Sequence, residues 1–197
     1  MKVLGLTGGV GMGKSTAAGF LLSQGLRVVD TDAVARELVR PGEPALAEIQ
    51  TAFGPGILTP AGELDRPVLA RQVFADPAAR QRLEAILHPR IRQQWQHQLD
   101  RWQAEGCPVA VVVIPLLYET SAESAFDEIV CVACLPSSQQ QRLAQRGWSE
   151  AEQQQRIAAQ LPVEKKLALA HRVIWTEGAL SAHQRQVEWL CSRWQNR

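Results

Sequence analysis

Gly8-Gly9-Val10-Gly11-Met12-Gly13-Lys14-Ser15 satisfies the pattern G-x-x-x-x-G-K-[ST] at every defined position, and Thr16 follows it. Residues 3–7 before it form a short apolar run, as a buried strand does. Lys14 to Ser23 behind it has helical spacing, with Phe20, Leu21 and Leu22 read as inward and Gly25 as the stop. A glycine-rich turn between strand and helix lets successive backbone N–H groups face one concavity. That nest and the helix N-terminus together bind phosphate oxygens. Gly9, Gly11, Met12 and Gly13 supply the backbone, Lys14 reaches the β- and γ-phosphates, and the Ser15 hydroxyl is placed to hold Mg2+. Thr16 lies on the first helical turn. Residues 26–29 read as a second strand ending at Asp30. Strand, loop, helix and strand within the first 30 residues make a βαβ unit, which implies a parallel sheet.

Further strands are expected at 109–114, β-branched and almost without polar atoms, at 128–135 and at 172–175. A helix is expected over 33–39. Between residues 30 and 109 the pattern is helical: Asp65-Arg66-Pro67 and Asp76-Pro77 each start a helix, and 91–105 carries a stripe of Ile91, Trp95, Leu99 and Trp102. Residues 138–146 are helical, and Ser149-Glu150-Ala151-Glu152 is a capping box that opens a helix to Gln160. Gln153, Gln154 and Gln155 read as a solvated face of it. A terminal helix over 180–194 turns Val187, Leu190, Cys191 and Trp194 inward. The expected fold is therefore α/β, of the P-loop NTPase and kinase type, with a parallel sheet flanked by helices. Its core takes residues 1–40, 107–136 and 170–197. A helical acceptor-binding insertion takes 42–106, and a lid takes 137–165.

The 197 residues are 46% hydrophobic and 21% charged with net charge +1, which is ordinary globular composition and argues against wholesale binding to a nucleic-acid backbone. No stretch approaches the roughly 20 apolar residues of a membrane span, and the N-terminus lacks a cleavage-site pattern. The expected compartment is the cytoplasm, with small molecules as partners and neither nucleic acid nor membrane among them. Four cysteines make no disulfide framework; Cys131 and Cys134, three apart on a strand, read as core residues.

A regulatory GTPase would need N-K-x-D, and the only asparagine is Asn196. The strand at 109–114 leads into Pro115-Leu116-Leu117 and not into an acidic residue, unlike a mechanical hydrolase. A small-molecule kinase is the class that remains. Asp30-Thr31-Asp32 ends the second strand, at the edge where an open α/β sheet binds ligands. A phosphoryl acceptor needs a carboxylate to take or orient its proton, and Asp32 is the candidate base. Asp30 would orient it, hold a metal-bound water or cap the next helix. Arg142 and Arg146 share a helix face, with Arg156 across the Gly147-Trp148 turn; such arginines can neutralise charge on a transferring phosphoryl group.

Taken together these blocks resemble the dephospho-CoA kinase family. The stretch from Leu6 to Thr16 is similar to its P-loop, and Val29-Asp30-Thr31-Asp32 with Ala35-Arg36-Glu37 resembles its D-x-D segment. Leu64-Asp65-Arg66, Val73-Phe74, Leu83-Glu84-x-Ile86-x-His88-Pro89-x-Ile91, Pro115-Leu116-Leu117-Tyr118-Glu119 and Gln139-x-x-Arg142-Leu143 with Arg146 follow in the family's order. The resemblance implies transfer of the ATP γ-phosphoryl to the ribose 3′-hydroxyl of dephospho-CoA, with Asp32 as base. It places Arg66 and His88 on the acceptor side, and Arg142 and Arg146 on the ATP side or lid, with Lys14 and Arg142 assisting transfer. His88, before Pro89, has the alternative of capping the helix that follows. The chain departs from the family at His171 (usually aspartate), at Thr176 (usually asparagine), near the expected adenine position, and at Met12, where only the N–H is needed and the side chain can turn away. The competing readings are another small-molecule P-loop kinase, of nucleoside monophosphate or shikimate type, and an ATP-binding module without catalysis.

Overall fold

The computed structural model describes residues 1–195; residues 196 and 197, which end the expected core segment, lie outside it. The chain divides into two compact units, Met1–Asp30 with Leu99–Arg197, and Thr31–Gln98.

The first unit is built on five parallel strands, β1 (Lys2–Gly8), β2 (Arg27–Asp30), β3 (Val109–Val113), β4 (Glu128–Ala133) and β5 (Arg172–Trp175), in the order β2-β3-β1-β4-β5. Every residue of β3 is buried, as its unbroken Val109-Ala110-Val111-Val112-Val113 run requires of a strand covered on both faces. In register, Asp30, Val113, Leu6, Val130 and Arg172 form one row across the sheet. The end of β2 therefore stands level with Leu6, two residues before the end of β1, at two strand spacings or about 10 Å. Glu128 ties three strands together, accepting from Lys2 Nζ at 2.7 Å and Arg172 Nε at 3.0 Å. Burial would raise that carboxyl, but the two cations outweigh it and hold it below the ordinary glutamate value.

One face carries α1 (Lys14–Ser23) and α9 (Leu180–Gln195), which bury Ala17, Ala18, Leu21, Val187, Leu190, Cys191 and Trp194 with Leu4 and Leu6. Leu22 is 55% exposed, against the reading that placed it inward. Three successive helical residues sweep about 200°, wider than one buried stripe. On β1, a Cβ at Gly5 would meet Leu117 Cδ1 at 2.7 Å, so that face has room for no side chain there. Cys131 and Cys134 are buried free thiols, and burial pushes Cys131 up to about 11. They are core residues, as read.

β4 stops at Ala133, two residues short of expectation, because Pro136 opens α6 (Pro136–Ala144) with Leu135 as its N-cap. α7 (Glu150–Ala158) has the capping box in full, with Ser149 and Glu152 exchanging bonds. Gln153 is buried and donates to the Trp148 carbonyl at 2.9 Å, so the glutamine run is not all solvated. α8 (Val163–Leu169), which the sequence pattern did not separate, packs on β4 and β1.

The second unit holds α2 (Thr31–Glu37), α3 (Pro44–Phe53), a 3-10 turn at Pro55–Ile57 and α4 (Arg66–Ala75), all helical as expected. Its core joins Val39, Leu46, Ile49, Ile57, Leu69 and Ile86. Asp65 caps α4 by accepting from Val68 N at 3.0 Å. The two helices expected at 77 and 91 are one, α5 (Pro77–Ala104), and the division between the units falls within it. Pro89 sits inside this helix and removes one backbone donor. The Arg90 guanidinium donates to the neighbouring Ile86 carbonyl at 2.7 Å. His88 therefore caps nothing: it is a half-buried residue of a helix interior.

Candidate nucleotide site

The loop leaves β1 through Gly8 and enters α1 through Gly13, both at positive φ (142° and 96°). A Cβ on Gly8 would lie 2.2 Å from the Val132 carbonyl oxygen, so the close approach of loop to β4 requires glycine. Gly13 caps α1 in the left-handed region without a side-chain cap, and the first turn carries no acidic residue. The partial positive charge of the helix start is thus not answered by a side-chain cap or a first-turn carboxylate. Lys14 Nζ folds back onto the loop, donating to the carbonyls of Gly8 at 2.8 Å and Gly9 at 2.9 Å. A phosphate entering there would exchange those carbonyls for charged oxygens, which are stronger acceptors. Met12 closes the loop, its N–H donating to the Gly9 carbonyl at 3.2 Å. Its side chain turns inward onto Ala133, Cys134, Val163 and Leu167, as the sequence reading allowed.

Side chains from distant segments hold this loop in shape. Gln139 of α6 donates to the Val10 carbonyl at 2.7 Å, and Gln160 accepts from Val10 N–H at 2.9 Å. Thr176 donates to the Met12 carbonyl at 3.0 Å and accepts from Arg142 Nη1 at 2.8 Å, while Arg142 Nη2 reaches the Thr176 carbonyl. Glu177 accepts from Leu135 N–H and Ser138 Oγ, fixing the start of α6 to the segment after β5. His171, where the family usually has aspartate, still supplies an acceptor: its Nδ1 takes the Ile129 N–H at 3.1 Å. Beneath the loop, the Pro115 carbonyl accepts from Thr7 Oγ1 and from buried Lys166, which also pairs with Glu119 at 2.7 Å.

Gly11, Gly13, Thr16, Arg142, Arg146 and His183 border one cavity of about 380 Å³. The first unit thus gathers the expected Gly9, Gly11, Met12, Gly13, Lys14, Ser15, Thr16, Arg142 and Arg146. Arg156 lies over the Trp148 ring at 4.2 Å. The second unit carries Asp32 in the first turn of α2, Arg66 at the head of α4 and His88 within α5. The helices bearing Arg66 and His88 pack on the same apolar core. Gln139, Gln160, Thr176, Glu177, Lys166 and His183 were not read as site residues. The bonds of the first five to distant segments have no local signature; Gln139 was marked only within the lid block and Thr176 only as a departure.

Among the described residues no cluster of three or more His, Cys, Asp or Glu could hold a metal, whereas Ser15 is an exposed hydroxyl at the loop's end. That donor set suits Mg2+ carried mainly by phosphates and water with one protein oxygen. None of the described helices is long and apolar enough to cross a membrane.

Comparison with known proteins gives the same direction. The family model "CoaE: Dephospho-CoA kinase" matches residues 2–181. A dephospho-CoA kinase of Anaeromyxobacter dehalogenans is 49% identical over 183 residues, covering 92% of this chain and 87% of the relative. The crystal structure of TT1252 from Thermus thermophilus superposes with a TM-score of 0.82 at 34% identity, covering 98% and 97% of the two chains. Dephospho-CoA kinase from Campylobacter jejuni, 23% identical, shares the fold with a TM-score of 0.67 over 98% and 97%. With residues 2–181 matched by the family model and 92% of the chain by a 49% identical relative, the chain belongs to the dephospho-CoA kinase family.

Proposed function

We propose that the chain transfers the γ-phosphoryl group of ATP to the ribose 3′-hydroxyl of dephospho-CoA, with Asp32 taking the hydroxyl proton. The acceptor oxygen attacks the γ-phosphorus as the Asp32 carboxylate receives its proton, and ADP leaves in line. The observation that carries the reading is the fully formed phosphate loop, which starts two residues beyond the row that holds the end of β2, from which Asp32 follows two residues on in the chain. Lys14 stands at the loop's mouth to meet the β- and γ-oxygens, and Arg142 and Arg146 approach from the lid side. Arg66 and His88 are assigned to the acceptor. Ser15 would hold Mg2+, which when bound neutralises charge between the β- and γ-phosphates. The enzyme is placed in the cytoplasm.

An ADP-release assay across dephospho-CoA, AMP, GMP and shikimate tests the assignment. Turnover is expected with dephospho-CoA; turnover of AMP or shikimate without it overturns the acceptor, and no turnover at all favours a binding module. Lys14→Ala should weaken ATP binding by about ten- to a hundredfold, the worth of charge-assisted hydrogen bonds, as calorimetric titration would register.

A further inference from the structure

Two peptide planes of the phosphate loop, Val10–Gly11 and Met12–Gly13, are held at one end only. The Val10 carbonyl accepts from Gln139 Nε2 at 2.7 Å, and the Met12 carbonyl from Thr176 Oγ1 at 3.0 Å. Both donors come from far along the chain, Gln139 from α6 and Thr176 from just after β5, and both are buried. The N–H groups at the other ends of these planes belong to Gly11 and Gly13, and neither meets a protein acceptor among the described residues. The plane between Gly9 and Val10 differs. Its carbonyl accepts from Lys14 Nζ and the Met12 N–H, and its own N–H is spent on Gln160. A trans peptide plane points its carbonyl and its N–H in opposite directions, so a donor fixed on the carbonyl also aims the N–H. The hold matters most where glycine follows, because glycine accepts either sign of φ and lets the plane before it turn over. Gly11 and Gly13 stand at φ 77° and 96°. Reversal of either plane would present a carbonyl oxygen where the N–H now points, and an anion is repelled by it.

We infer that Gln139 and Thr176 are positioning residues for phosphate binding, each locking one peptide plane so that the Gly11 and Gly13 N–H groups face the triphosphate before it arrives. Without either lock, part of the population carries an inverted plane, and apparent affinity falls by the competent fraction that remains. The inference rests on the nucleotide reading above and is independent of the acceptor's identity.

The wild type, Gln139→Met, Thr176→Val and Thr176→Ser are titrated with ATP and with inorganic tripolyphosphate, Mg2+ present. Gln139→Met and Thr176→Val drop the donor at little change of volume, and in the latter Arg142 keeps the Thr176 carbonyl. Each should lose roughly 5- to 20-fold in affinity for both ligands alike. Thr176→Ser, which keeps the hydroxyl, should stay within about threefold of the wild type. Amide 1H–15N spectra separate positioning from general loosening. Tripolyphosphate should move the Gly11 and Gly13 amide protons downfield in the wild type. Gln139→Met should blunt the Gly11 shift and spare Gly13, and Thr176→Val should do the converse. In the wild type the Gln139 side-chain amide protons should stay protected from exchange with and without tripolyphosphate, a readout that needs no variant. Unchanged affinity in both donor deletions, equal blunting of the two glycines in either, or free exchange of the Gln139 amide before ligand is added would overturn the inference. A wild type that binds neither ligand would sink the nucleotide reading and these roles together. The paired pattern without turnover of dephospho-CoA would remove the acceptor assignment alone and support the two locks.

Discussion

Asp32→Asn should lower turnover by roughly 10²- to 10⁴-fold while ATP affinity stays near the wild-type value. The amide keeps the size and shape of the carboxylate but cannot accept the acceptor's proton. Position 32 lies in the first turn of α2 and is exposed, so the isosteric asparagine has room there. Loss of the acid at a helix start weakens the dipole interaction by only about 0.3–1 kcal/mol, so the fold should persist. Steady-state ADP release gives turnover, and equilibrium titration gives ATP affinity. Full turnover in Asp32→Asn would take the base role from this residue. A fall in ATP affinity as large as the fall in turnover would make Asp32 a nucleotide-binding group instead.

The phosphate loop was legible because its chemistry is local. Glycines at fixed offsets, a lysine and a hydroxyl residue between an apolar strand and a helix admit few other structures, and β1, α1 and β2 lie where the pattern put them. β3 announced itself by β-branched residues without polar atoms, and α7 by its capping box. Local rules failed where a longer element overrode them. Pro89 reads as a helix boundary, yet α5 continues through it with Trp95 and Leu99 buried on its next turns. α8 is seven residues long, too short for a helical stripe to stand out, and its Lys166 is fully buried, against the usual place of a lysine. The ties that shape the loop, from Gln139, Gln160, Thr176 and Arg142, cross from 34 to 164 positions of sequence. No periodicity reports a side chain that meets backbone at such separations. Asp32, by contrast, was proposed from its place just after a strand end, a rule of sheet topology.

Glu119→Leu should destabilise the protein by about 3–5 kcal/mol in urea unfolding, more than any loss of surface charge could. Lys166 is the one lysine or arginine buried among the described residues, at 0% exposure, and its ammonium has two acceptors, Glu119 Oε1 and the Pro115 carbonyl, both at 2.7 Å. Removing the carboxylate leaves a full charge in the interior with one neutral acceptor. Lys166→Met is the less costly deletion. It takes the ion itself out of the interior and leaves Glu119, 20% exposed, with water and the Leu161 N–H at 2.7 Å. Its cost should be about 1–2 kcal/mol, the scale of lost hydrogen bonds. The double variant should unfold at higher urea than Glu119→Leu alone, because no unpaired ammonium remains in it. The opposite ranking of the two single variants would show that the glutamate serves mainly the Leu161 backbone and that burial of Lys166 is tolerated without it. The strain of Glu119→Leu falls on the Pro115 carbonyl, which also accepts from Thr7, one residue ahead of Gly8. ATP affinity should therefore fall together with stability in Glu119→Leu and recover together in the double variant, which ties the Pro115–Glu119 segment to the phosphate loop through one buried amine.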